Sequence, residues 1–140
     1  MDATAILQPV LVVALLTVVM MVWMLATRIP EMNRRGIDAQ EAQDTSKLGD
    51  LLPPQVMRVS NNYNHLFEQP TLFYAVAISI AVLGLTDSLF VLCAWAYAVL
   101  RIVHSIVQAT IDIVMIRFGL FVLSWLALGV MTVREALAIF

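Results

Sequence analysis

The chain has 140 residues, of which 61% are hydrophobic and 13% charged, with a net charge of −2 and a mean hydropathy of +0.90. Soluble domains are roughly 45–50% apolar, so a water-soluble globular fold is excluded. No basic run offers a surface for nucleic acid, and the single cysteine, Cys93, excludes an intrachain disulfide.

The charges are segregated. No Asp, Glu, Lys or Arg lies between Asp2 and Arg28, between Glu68 and Asp87, between Asp87 and Arg101, or between Arg117 and Arg134. A bilayer core about 30 Å thick needs about 20 apolar residues per helix. The pattern therefore predicts one all-α membrane domain over residues 1–140, with four transmembrane helices.

The first helix is expected over residues 5–27 and ends at Ile29-Pro30. Asp2 replaces a basic n-region, and Ala26-Thr27-Arg28 offers no small-x-small cleavage site, so this helix is expected to stay rather than be removed as a signal peptide. Residues 28–54 are polar, carry Gly36, Gly49 and Pro53-Pro54, and form the one long loop. The second helix follows over 55–85. Gly84-Leu85-Thr86-Asp87-Ser88 is a tight turn, with Asp87 or Ser88 as N-cap of a third helix over 88–110. A turn at Asp112 leads to the fourth helix, 114–133, whose far end is marked by Arg134-Glu135. Cys93 sits in an apolar run as a small packing residue.

Basic residues set the orientation. Arg28, Arg34, Arg35, Lys47 and Arg58 flank or occupy the long loop, Arg117 lies at the 3–4 turn, and the 2–3 turn has none. The long loop and the 3–4 turn are expected in the cytoplasm, with both termini outside.

Two charges, Glu68 and Arg101, fall deep within apolar segments. Each costs roughly 2.5–3.5 kcal/mol at mid-bilayer on the insertion scale. Measured from the cytoplasmic helix ends, their depths are about 20 Å and 14 Å at ~1.5 Å per residue, so an ion pair between them is expected. Arg58, Asn61, Asn62, Asn64, His65 and Glu68 share one face of the second helix. Tyr97, Arg101, His104, Ser105 and Gln108 share one face of the third. All lie on the cytoplasmic half, and the outer halves are almost wholly apolar. The faces describe a polar cavity open to the cytoplasm and capped by a dry outer half. With Arg58, Arg101 and Arg117 set against Glu68, it suits an anionic, hydrogen-bonding ligand. Two blander readings stand beside this one. The polar residues may be counted simply as glue between membrane helices, at roughly 0.6–2 kcal/mol each. His65, Glu68 and His104 also form a weak metal-ligand set.

Arg58-Val-Ser-Asn-Asn62, Glu68-Gln-Pro70-Thr-Leu-Phe73, Arg101-Ile-Val-His104 and Arg117 at the start of the last helix together resemble the MAPEG family, the membrane-associated proteins of eicosanoid and glutathione metabolism. The resemblance covers nearly the whole chain. It implies a left-handed four-helix bundle assembled as a homotrimer, with glutathione bound between subunits on the cytoplasmic half. Carried over, Arg58 and Asn62 would hold the peptide, Arg117 would stabilise its thiolate, and Arg28 would come from the adjacent subunit. Asn61, His65, Glu68, Arg101, His104 and Gln108 complete the expected ligand site. The chain departs from the family in two places. His65 stands three residues after Asn62, where the family has Glu, and Glu68 precedes Pro70 by only two, so the family glutamate's role falls to either His65 or Glu68; His104 and Gln108 stand near positions where enzymatic members carry tyrosines.

The function implied is glutathione-dependent transfer to, or peroxide reduction in, lipophilic small molecules that arrive from membrane lipid. A non-catalytic lipid-binding or scaffold protein of the same fold is the second reading. A small proton-coupled exporter, using a lone membrane carboxyl, is the third.

Overall fold

The computed structural model describes residues 1–140, and it is all helical. Three helices are long and apolar enough to cross a bilayer: α1 (Thr4–Arg34), α5 (Ser88–Ala109) and α6 (Val114–Ile139). Between α1 and α5 lie two 3₁₀ turns, then α2 (Leu48–Leu51), α3 (Pro54–His65) and α4 (Gln69–Val82).

The helix α1 runs through Pro30 rather than stopping at it. Proline removes only one helical donor, the one that would meet the Ala26 carbonyl, and the helix stays continuous on both sides. The Thr27 hydroxyl lies within hydrogen-bond reach of the carbonyls of Trp23 and Met24, at 3.0 and 3.1 Å. One turn further on, Arg34 and Arg35 both reach Glu31 at 2.7 Å. The end comes at Gly36, which takes φ +66°, with Ile37 N–H donating to Met32 O and Gly36 N–H to Asn33 O. This 6→1 and 5→2 pair is the Schellman motif, and it needs a residue that tolerates a left-handed backbone. The expected long loop is also more ordered than a loop. Leu48, Leu52 and Val56 are buried together, with Met32 and Ile37 packed against them.

The second apolar segment is not one helix over 55–85 but two, α3 and α4, broken at Leu66–Glu68. Pro70 accounts for the break. It has no N–H for the Leu66 carbonyl, and its ring would strike that carbonyl in a continuous helix. In the first turn of α4 the missing donor costs nothing. Glu68 takes φ −95°, ψ −100°, and its carbonyl accepts from the Thr71 hydroxyl at 2.6 Å. At the other end of α4, Gly84 (φ +69°) repeats the Schellman geometry, with Leu85 N–H on Ile80 O.

Asp87 caps α5 as expected, its carboxylate accepting from Leu89 and Phe90 N–H at 3.0 Å. The main core joins four helices: Ile6, Val10 and Val13 from α1, Phe73, Ala77 and Ile80 from α4, Ala94, Tyr97 and Ala98 from α5, and Leu128 and Met131 from α6. Cys93 is half-buried against it. A second cluster, Met20, Met24, Val59, Leu66 and Ala109, packs α1 against α3 and the end of α5. Large apolar side chains such as Leu11, Leu15, Val99, Leu126 and Val133 are exposed along the three long helices, the surface a bilayer would cover.

Candidate functional site

The polar faces of α3 and α5 meet, but the break at Leu66–Glu68 sorts their residues into an inner and an outer set. The inner set centres on Arg101. Its side chain has no exposed surface, and its Nη1 donates to Gln69 Oε1 at 3.2 Å. Tyr97 OH points at the same oxygen from 3.4 Å, and the Tyr97 ring stacks on Phe73 with centroids 4.2 Å apart. The expected Glu68–Arg101 ion pair does not form. Glu68 faces out, with its side chain 67% exposed, and its partner is His65. In a continuous helix Glu68 would share the face of His65 and Asn61. The non-helical backbone at Glu68 turns its carboxylate away and brings Gln69 inward instead.

Around Arg101 the interior holds an excess of hydrogen-bonding capacity. Arg101 Nε and Nη2, both amide atoms of Asn62, Gln69 Nε2, His104 Nδ1, Ser105 Oγ and Gln108 Oε1 are buried without a protein partner. Unpaired polar atoms each cost roughly 1–3 kcal/mol, so a set this large is a place for bound water or ligand groups. Arg101 itself, wholly enclosed by its own chain, supports this site from behind rather than lining it.

The outer set lines an open cavity of about 210 Å³, bounded by His65, His104, Val114, Arg117, Phe118 and Phe121. Half of the wall is polar and half apolar. The His65 and His104 rings meet edge to face at 5.6 Å, and Phe121 lies 6.3 Å from His65. Glu68 Oε2 is 2.9 Å from His65 Nδ1, but without the alignment of a formed hydrogen bond. No three of the His, Cys, Asp and Glu side chains converge as a metal site would require.

The cation balance differs from the expected one. Asp112, in the α5–α6 turn with φ +51°, reaches Arg117 Nη1 at 2.5 Å and Arg58 Nε at 3.6 Å. Arg58 Nη1 also donates to the Thr110 carbonyl at 2.9 Å. Two of the three arginines counted as free charge thus share a carboxylate. Arg28 hydrogen-bonds Ser60 of its own chain, and Asn61 is exposed on the outside of α3.

Sequence reasoning passed over Gln69, Asp112, Phe118 and Phe121. Pro70 was the available signal for Gln69, because a forced break repositions its neighbours. Asp112 was legible as the sole acidic residue between Asp87 and Glu135. The half of the bundle away from this cavity, expected to be dry, is not wholly apolar. Glu135 of α6 is 7% exposed and accepts from the Ser79 hydroxyl of α4, and Arg134 pairs with Asp87 at 2.5 Å while lying over the Phe90 ring.

A family model described as the MAPEG family matches residues 6–137. No curated protein and no solved structure matches the chain.

Proposed function

The chain belongs to the MAPEG family, and from that premise we propose that it is a glutathione-dependent transferase or peroxidase acting on lipophilic electrophiles. Family membership and three long apolar helices make it an integral membrane protein. The rest is our reading. The α3–α4 segment supplies the fourth crossing, the long segment after α1 faces the cytoplasm, and the chain assembles as a homotrimer.

One observation carries the reading: Arg117, His65 and His104 share a cavity with Val114, Phe118 and Phe121. A thiol becomes a nucleophile when a nearby cation or base favours its thiolate. An apolar wall beside that cation is where an electrophile from lipid would rest. A cavity of about 210 Å³ suits one aryl group, since roughly 150 Å³ holds a benzene ring. The peptide would lie across the mouth, along Arg58 and Arg117. Arg28 would close the site from a neighbouring subunit after leaving Ser60. Arg101, Asn62 and Gln108 would fix the floor.

A second reading has its own support. Asp112 already pairs with both Arg117 and Arg58, one carboxylate shared by two guanidiniums. A non-catalytic lipid-binding member would keep such a tie permanently. Calorimetric titration of glutathione into detergent-purified protein, followed by turnover of a generic aryl halide, tests the proposal. Binding with turnover supports the enzyme, and no binding supports the lipid-binding reading.

A further inference from the structure

We infer that His65 is the general base that takes the thiol proton, and that Glu68 positions it for that task. The inference rests on the glutathione reading above and adds to it a named base.

The geometry points to His65 in three ways. Its ring lines the cavity together with Arg117. Its Nδ1 lies 2.9 Å from a carboxylate oxygen, so a small rotation of either side chain closes that hydrogen bond and leaves Nε2 for the cavity. A carboxylate behind one imidazole nitrogen selects the tautomer with the proton on that nitrogen and stabilises the imidazolium once the other takes a second proton. The His104 ring, edge-on at 5.6 Å, limits the positions the His65 ring can take. His104 has no such carboxylate, and its own Nδ1 is enclosed without a partner.

The break between α3 and α4 makes this arrangement. His65 is the last residue of α3, and Glu68 is the residue before α4. A continuous helix would also place them one turn apart, but the irregular backbone leaves Glu68 at the surface of the site. There it can hold the imidazolium without itself being sealed in.

The step balances as follows. The S–H bond of glutathione breaks, its proton passing to His65 Nε2 and its electron pair staying on sulfur beside Arg117. Sulfur then forms the S–C bond to an aryl halide as the carbon–halogen bond breaks, and halide departs with the bonding pair. The proton leaves His65 for water, restoring the neutral ring.

The test uses the full-length protein in detergent, with glutathione and an aryl halide as probes. His65→Ala should lower kcat about 100-fold or more, the range general-base catalysis supplies. Glutathione affinity by calorimetry should stay within about tenfold, and added imidazole should restore part of kcat. Glu68→Gln, at an exposed site where folding is not at risk, should lower kcat several-fold with KM unchanged. Wild-type kcat in His65→Ala, or a loss that imidazole fails to restore together with wild-type kcat in Glu68→Gln, overturns the inference. If the wild-type protein binds no glutathione, the functional reading itself falls and the base falls with it. Binding and turnover with an indifferent His65 remove the base alone.

Discussion

Arg101 is held by Gln69, an uncharged partner, 3.2 Å from Nη1 to Oε1, while the carboxylate of the preceding residue, Glu68, turns away to the surface. A guanidinium with no exposed surface and no anion beside it is costly in a membrane domain, and the cost is limited only where every donor finds an acceptor. Gln69→Ala removes the one acceptor that reaches it, and should destabilise the protein by about 1–3 kcal/mol. Gln69→Glu places a carboxylate where the amide oxygen stands and should be tolerated or stabilising. Glu68→Ala should change stability by less than about 0.5 kcal/mol, as surface substitutions do. Unfolding titrations in mixed micelles would check the order of the three, and equal effects at positions 68 and 69 would refute the assignment.

The exchange of Glu68 for Gln69 also shows how far the sequence could be read. Hydropathy and charge spacing located the apolar segments, and the Asp87 cap was legible because capping is a local event within three residues. Depth along the membrane was legible only to about one helical turn. That margin hides the difference between adjacent residues, and a helix break decides which of them faces inward. Pro70 is the visible signal of the break, but the run continues on both sides of it, from Pro53-Pro54 to the Gly84 turn. Pro30 shows the converse error, since a proline removes a single helical hydrogen bond and α1 continues past it to Arg34. The tie from Asp112 to Arg58 depends on tertiary packing of α3 against the α5–α6 turn, which no local pattern encodes.

At the other end of the bundle, the Arg134 hydrogen bond, with help from the Phe90 and Leu89 amides, lowers the Asp87 carboxyl to about 2. A depressed folded value means that the stabilisation is present above the unfolded value, about 3.9, and is lost as pH falls through the folded one. Between those limits the α4–α5 turn should loosen from α6. The protection of the amides at residues 84–90, measured against their intrinsic exchange rates at each pH, should therefore fall on acidification toward pH 2. Asp87→Asn keeps a capping side chain but loses the ion pair, so its protection should vary far less with pH. An identical acid response in both proteins would show that Asp87 is not the group responsible.

Ser79 and Glu135 form a polar contact in the half of the bundle away from the cavity. The Ser79 hydroxyl lies within hydrogen-bond reach of both Glu135 Oε1 and the Val76 carbonyl, yet it has one proton to give. Glu135→Gln supplies an amide N–H to the serine oxygen, which frees that proton for Val76, and should be nearly neutral. Ser79→Ala leaves the buried carboxyl without a donor and should cost about 1–3 kcal/mol. Thermal unfolding in detergent would separate the two. Equal losses would place the role of Glu135 in its charge rather than in this bond.

Asp112 and Arg117 bear on chemistry more directly, because their 2.5 Å contact holds the cavity's cation before any ligand arrives. An anionic peptide must compete with Asp112 for Arg117 and for Arg58. Asp112→Asn removes the competitor, and should raise glutathione affinity several-fold while lowering the stability of the empty protein by about 1–2 kcal/mol, as expected for a charge-assisted bond at a site about a quarter exposed. Arg117→Ala removes the cation and leaves Arg58 to hold the peptide. Affinity should stay within about tenfold, roughly 1.4 kcal/mol, while turnover should fall by more than that factor. The bound thiol should also require a higher pH to ionise, because the charge that favoured its thiolate is gone. Thiolate absorbance followed against pH in the wild-type protein and both variants decides the matter. A bound thiol that titrates as free glutathione does in all three would show that the cavity does not activate sulfur, and the permanent Asp112 tie of a lipid-binding protein would then be the better account of the same residues.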